Sequence, residues 1–104
     1  MQPTKGNPFT AEGNWCRGNT HSHTTASDGQ LTVPALAGWY DEHGYDFLVV
    51  TDHDVVADLS VKRDSSILLI PGCEIGVCWF GPLVSEICAL GIDEVKRVRA
   101  APPV

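Results

Sequence analysis

The segment GNTHSHTTASDG, residues 18–29, places His21 and His23 two residues apart and Asp28 five residues further on. On an extended chain residues i and i+2 project to one face, so the two imidazoles can hold a single ion between them. Two later segments finish in the same way, YDFLVVTDHD with His53 near its end and SSILLIPGCEIG with Glu74 after a Pro-Gly pair. Imidazole nitrogens together with carboxylates suit zinc, manganese or iron, and two or more ions can share a bridging carboxylate. Such ions lower the pKa of bound water from ~15.7 towards ~7 and clamp a phosphoryl or carbonyl oxygen.

These residues need elements to position them. NWCRGNTHSHT reads as a first strand and ASDGQL as a turn. Val33, Leu36, Ala37 and Tyr40 recur at helical spacing behind Thr32 as N-cap, with Pro34 in the first turn and Gly44 as a stop, which predicts a helix over Val33–His43. The apolar run FLVV within YDFLVVTDHD reads as a strand buried on both faces. Strand, helix and strand form a β-α-β unit, so the two strands should be parallel with a right-handed crossover.

SSILLIPGCEIG predicts a third strand that breaks at Pro-Gly and closes on Glu74, and SEICALGI a short fourth. Residues 55–65 predict no regular element, and the tail DEVKRVRAAPPV reads as a helical start ended by Pro-Pro. In parallel α/β folds the chemistry collects just past the C-terminal ends of strands, where His21, His23, Asp28, His53 and Glu74 all fall. Asp28 also fits ordinary turn chemistry, and His53 a strand-terminal hydrogen-bonding role. A buried unpaired carboxylate at Glu74 is costly, which favours a ligand role there. Asp52 and Asp54 should point away from His53 and serve as caps or as orienting partners of a ligand. His43 reads as a structural residue at a helix end, and Trp39, Tyr40 and Phe47 as core or helix-face residues.

The 104 residues allow one domain, with 43% hydrophobic and 19% charged residues marking a globular chain. Residues 1–13 form an irregular lead-in, and residues 14–104 the domain. Thirteen acidic against seven basic residues give a formal charge of -6, which argues against a nucleic-acid partner. No signal peptide or membrane span is visible, so the expected location is the cytoplasm and no membrane partner is expected. Cys16, Cys73, Cys78 and Cys88 lack metal-finger spacing and read as reduced core thiols.

THSHTTASDG, GYDFLVVTDHD and LLIPGCEIG, in that order and spacing, resemble the PHP (polymerase and histidinol phosphatase) domain family. The surrounding text is most similar to the CehA/McbA-type metallohydrolases, over roughly residues 14–93. The resemblance implies the N-terminal part of a distorted, TIM-like β/α barrel, with about four mostly parallel strands present. It implies that His21 and His23 bind one metal, that Glu74 bridges it to a second, and that Asp28 and His53 hold a further ion. Two or three divalent ions (Zn, Mn or Fe) then serve a complete site. Glu86 stands where the family has a histidine, and a carboxylate there can still ligate. The family's late motifs, including an Asp-x-His, have no counterpart in this chain, which leaves the site incomplete.

The function expected is a metal-dependent hydrolase of the phosphoesterase type, using a metal-activated hydroxide on a small-molecule phosphate ester or related ester. Its alternative is a non-catalytic metal-binding or structural fragment. Exonucleolytic editing, a third use of the family, is disfavoured by the acidic balance. About four strands cannot close a barrel, so open sheet edges invite self-association.

Overall fold

The computed structural model describes residues 6–60, 65–80 and 83–95. Strand β1 (Gly18–Asn19), helix α1 (Val33–Glu42) and strands β2 (Phe47–Val50), β3 (Leu68–Phe80) and β4 (Leu83–Leu90) follow one another along the chain. The strands lie side by side in that same order, with β1 and β4 at the edges. β1–β2 and β2–β3 are parallel and β3–β4 is antiparallel, so the chain is α/β with a mixed four-stranded sheet. Among the described residues no helix is long and apolar enough to cross a membrane.

The helix forms where its sequence signals put it. Thr32 stays extended and its side chain accepts from the Ala35 amide, Pro34 occupies the first turn, and His43 caps the C-terminus one residue earlier than expected. Gly44 then takes φ 77°, the left-handed conformation that glycine adopts without steric cost. Val33, Leu36 and Tyr40 pack with buried Ala37 against Leu48 and Val50 of β2, and Ala57 and Ile67 complete this core. The lead-in residues 8–13 make turns and bends, and the expectation of a helical start in the tail falls largely on residues 96–104, outside the described residues.

Two expectations about strands are corrected. The first strand is only Gly18–Asn19, because beyond it side chains replace the backbone ladder. The Asn19 carboxamide oxygen accepts from His21 N, Ser22 N donates to Thr51 Oγ1, and the Ser22 hydroxyl donates to the Val49 carbonyl. The alignment of β1 with β2 nevertheless persists, since Thr51 N donates to Ser22 O at 2.8 Å with the same sequence offset as the Gly18–Phe47 pair.

The second correction concerns β3, which runs straight through Pro71-Gly72, so that Glu74 lies within the strand and not at its end. In an extended chain the N–H and C=O of a residue point to the same side, and Pro71 O accepts from Gly91 N at 2.7 Å on the β4 side. The missing N–H of Pro71 therefore falls where the β3–β4 ladder finishes at Gly72–Leu90 and removes only its last bond.

One buried carboxylate joins this scaffold to the loop carrying Asp28. Asp52 has no exposed surface, and it accepts hydrogen bonds from Thr24 N and Thr24 Oγ1 at 2.7 Å each and from Ser27 Oγ. Three donors compensate the desolvation of the charge. Replacing Asp52 with alanine would strand those donors in a buried setting, so Asp52→Ala should cost about 2 to 4 kcal/mol. Urea denaturation measures this directly, and a loss within about 0.5 kcal/mol would show that the carboxylate does not hold the loop.

Candidate metal centre

β2 and β3 are paired with a constant offset from Phe47–Leu68 through Val50–Pro71. The same offset reappears beyond the end of β2, where His53 bridges Glu74. Glu74 N donates to Asp52 O at 3.0 Å and Asp54 N donates to Glu74 O at 2.9 Å, so the backbone itself sets His53 beside Glu74. Asp54 makes the turn that follows with φ 53°, in the left-handed region.

The side chains converge on one oxygen. Glu74 Oε2 lies 3.1 Å from His21 Nε2, 2.9 Å from His23 Nε2 and 3.6 Å from His53 Nδ1. The two Nε2 atoms are themselves 3.0 Å apart. A single proton can lie along only one edge of such a triangle, whereas a cation held by these residues would engage all three lone pairs. His23 and His53 stack at 4.5 Å between ring centroids, and each turns its other nitrogen towards Asp28. His53 Nε2 is 3.3 Å from Asp28 Oδ2, and His23 Nδ1 is 3.5 Å from Asp28 Oδ1. The His23 Nδ1 atom is buried and makes no hydrogen bond, so the Asp28 contact is at ion-pair range only.

Two groups of donors have ligand atoms all within 4.8 Å of one another, His23 with His53 and Glu74, and His21 with Glu74 and Cys88. Either group could hold a metal ion. Glu74 belongs to both and is buried, while His21 lies on the open side. Burial pushes the Glu74 carboxyl up, but hydrogen bonds with Glu86 and His21 and the charges of His21 and His23 outweigh it and hold it below its ordinary value. Glu86 is exposed, and its hydrogen bond with Glu74, followed by the charge of Glu74, raises its own carboxyl. Burial likewise pushes the Cys88 thiol up, and Glu74 adds to this, against a hydrogen bond with the Thr51 hydroxyl.

Five of the six residues singled out in the sequence thus meet at one place. His21, His23, His53 and Glu74 supply the converging atoms, and Asp28 stands behind two of the rings. Glu86 touches Glu74 but belongs to neither group of converging donors. The grouping differs from the one implied by resemblance, since His23 converges with His53 and not only with His21. His43 is structural, with Nδ1 at 2.6 Å from Trp39 O and its ring stacked on Trp39.

The sequence reading missed Cys88. It was expected in the core, yet it is only half-buried and lies opposite Glu74 in the β3–β4 ladder. Alternation along SEICAL, counted back from a partner strand, was the signal that could have found it. Cys73, one residue before Glu74, is buried as expected, whereas Cys16 is exposed and corrects the expectation of a core thiol there.

No family model matches the chain. It is similar to 5'-3' exoribonucleases. It is 43% identical over 79 residues to 5'-3' exoribonuclease Rnm of Escherichia coli (strain K12), covering 70% of this chain and 27% of that protein. The Rnm of Salmonella typhimurium (strain LT2) is 42% identical over the same length, with the same coverage. A 5'-3' exoribonuclease of Haemophilus influenzae is 32% identical over 85 residues, covering 78% of this chain and 31% of its own length. The chain spans about a quarter to a third of the length of these relatives.

These relatives correct two expectations. The resemblance to the CehA/McbA type gives way to similarity with proteins named for exoribonuclease activity, names that do not conflict with the broader PHP resemblance. The expectation of a small-molecule ester and of no nucleic-acid partner conflicts with the same names. Its physical basis was a net charge of -6, but two of the acids counted in it are turned inward, Asp52 to a loop and Glu74 to three imidazoles. Charge summed over a chain does not describe the charge at a site once cations are bound there.

The loop behind the rings depends on Gly29, where a Cβ would collide with the backbone of His23 and Thr24. Gly29→Ala should displace Asp28 and so change the imidazole resonances of His23 and His53 while leaving those of His43 in place. Proton and carbon NMR of the four histidine rings checks this, and unchanged His23 and His53 signals would refute the dependence.

Proposed function

We propose that this chain carries the metal-binding part of a metal-dependent phosphoesterase that hydrolyses phosphodiester bonds in RNA. The observation that supports this most is the meeting of His21 Nε2, His23 Nε2 and His53 Nδ1 around Glu74 Oε2. The donor set fits divalent zinc, manganese or iron, and the buried, unbonded His23 Nδ1 fits a site whose rings are set for a ligand rather than for each other. The names of the relatives supply the substrate class. Residues 14–104 are the unit that carries the centre, preceded by the lead-in of residues 1–13.

Glu74 would be shared by two ions, with His23 and His53 on one side and His21 on the other. Bound cations of this kind lower the pKa of coordinated water and neutralise charge on a phosphoryl group. The chain's own residues orient the donors. Asp28 faces the outer nitrogens of His23 and His53 at 3.5 and 3.3 Å, and its negative charge there favours rings whose inner nitrogens point to the converging site. Asp52 holds the loop on which Asp28 sits, and the β2–β3 register keeps Glu74 in a dry position where its charge is strongly felt. The open side at His21 leaves room for a phosphate, and the acidic surface elsewhere makes the cations the natural point of contact for RNA.

Metal analysis of the chain after loading with Zn, Mn or Fe should show bound metal, and His23→Ala and Glu74→Gln should each lower it by at least about tenfold in affinity. With a 5'-labelled RNA oligonucleotide, hydrolysis should require metal and fall at least about a hundredfold in both variants. Metal binding without hydrolysis by the folded chain would favour a non-catalytic metal-binding module, a role compatible with the 27% of the first relative that the chain spans. Absence of bound metal would refute the proposal.

A further inference from the structure

We propose that Cys88 is a thiolate ligand, completing with His21 and Glu74 a zinc-selective half of the centre. The inference rests on the metal centre proposed above and adds to it a sulfur donor and a metal preference.

The backbone places Cys88 there. Glu74 and Cys88 face each other directly across the antiparallel β3–β4 ladder. Gly91 N donates to Pro71 O, so hydrogen-bonded pairs fall at 71–91 and, by alternation, at 73–89. Glu74 accordingly spends both of its backbone groups on the other side, giving N–H to Asp52 and taking N–H from Asp54. Glu74–Cys88 is then a non-hydrogen-bonded pair, the kind in which opposed side chains come closest. His21 reaches the same oxygen of Glu74 from the loop after β1, and the three ligand atoms lie within 4.8 Å of one another.

The second observation is the burial and orientation of Glu74. Its side chain is 6% exposed and aimed at this space, and its partners include imidazoles and the Glu86 carboxyl. The donors on the Cys88 side are one nitrogen, one oxygen and one sulfur. Thiolate with imidazole and carboxylate is a zinc set, since manganese and magnesium favour oxygen and gain little from sulfur. The other side, with His23, His53 and Glu74, has nitrogen and oxygen only and lacks that bias. The two halves of the centre should therefore differ in the metals they keep. Cys73 cannot take this role, because alternation turns it to the opposite face, where it is buried.

Cobalt(II) is the probe. Titrated into the wild-type chain, it should bind and give an intense near-ultraviolet sulfur-to-cobalt charge-transfer band, which Cys16→Ser should keep and Cys88→Ser should lose. In zinc–manganese competition followed by metal analysis, Cys88→Ser should lower the preference for zinc by at least about tenfold. Should Cys88→Ser fail to fold, the wild type still decides. Zinc should protect Cys88, but not exposed Cys16, from iodoacetamide, as mapped by peptide mass spectrometry. Bound cobalt without the sulfur band, or equal alkylation of Cys88 with and without zinc, would overturn the thiolate ligand while leaving the metal centre standing. A chain that binds no cobalt or zinc would overturn both.

Discussion

The arrangement depends on a parallel register that outlives its strand. β2 stops at Val50, yet the backbone bonds from Glu74 N to Asp52 O and from Asp54 N to Glu74 O carry the same pairing past His53. Without them Glu74 would be a carboxylate in the middle of β3 with no histidine beside it. With them its position is fixed by main-chain hydrogen bonds that continue the sheet. The imidazoles then assemble around a carboxylate that is already held. A site built on a strand is more rigid than one carried wholly on loops.

β3 brings the two halves of the scaffold together. It pairs in parallel with β2 and antiparallel with β4, so it receives the helix-covered core on one flank and Cys88 on the other. Ala37, Leu48 and Val50 fill the core beneath α1, while Glu74 lies on the face it shares with Cys88. Burial of apolar side chains on one face and of polar donors near the end of β2 is the division of labour expected of α/β sheets. Four buried polar residues are satisfied by partners across the chain, Ser22 and Thr51 bonding to each other and Thr24 to Asp52.

Much of this was legible in the residues. The helix was marked by Thr32, Pro34 and Gly44, whose local chemistry requires no tertiary context, and β2 by an unbroken apolar run. His21 and His23 were legible from their i, i+2 spacing, and His53 and Glu74 because polar residues set against apolar runs have few structural explanations. What stayed hidden depended on registers between strands. The run through Pro71 could not be seen without knowing that its nitrogen faces the finishing end of a ladder. Cys88 looked like a core thiol because its neighbours Ile87, Ala89 and Leu90 are apolar, and only pairing with Glu74 shows which face it takes. The charge argument against nucleic acid failed for a related reason, since it counted Asp52 and Glu74 as surface acids and neither is on the surface.

Asp52, His53 and Asp54 are three consecutive residues with three separate destinations. The first carboxylate turns inward to Thr24 and Ser27, the imidazole faces Glu74 and Asp28, and Asp54 adopts the left-handed turn that ends the segment. Because Asp52 and His53 reach opposite destinations by the alternation of an extended stretch that Asp54 then closes, the tripeptide behaves like a word with a reading frame. Inserting or deleting one residue ahead of it would exchange the inward and outward positions all at once, whereas loop lengths elsewhere, as between α1 and β2 or after Asp54, carry no such phase. A change of length should therefore be accommodated in those connections more readily than in the segment joining Val50 to Asp54.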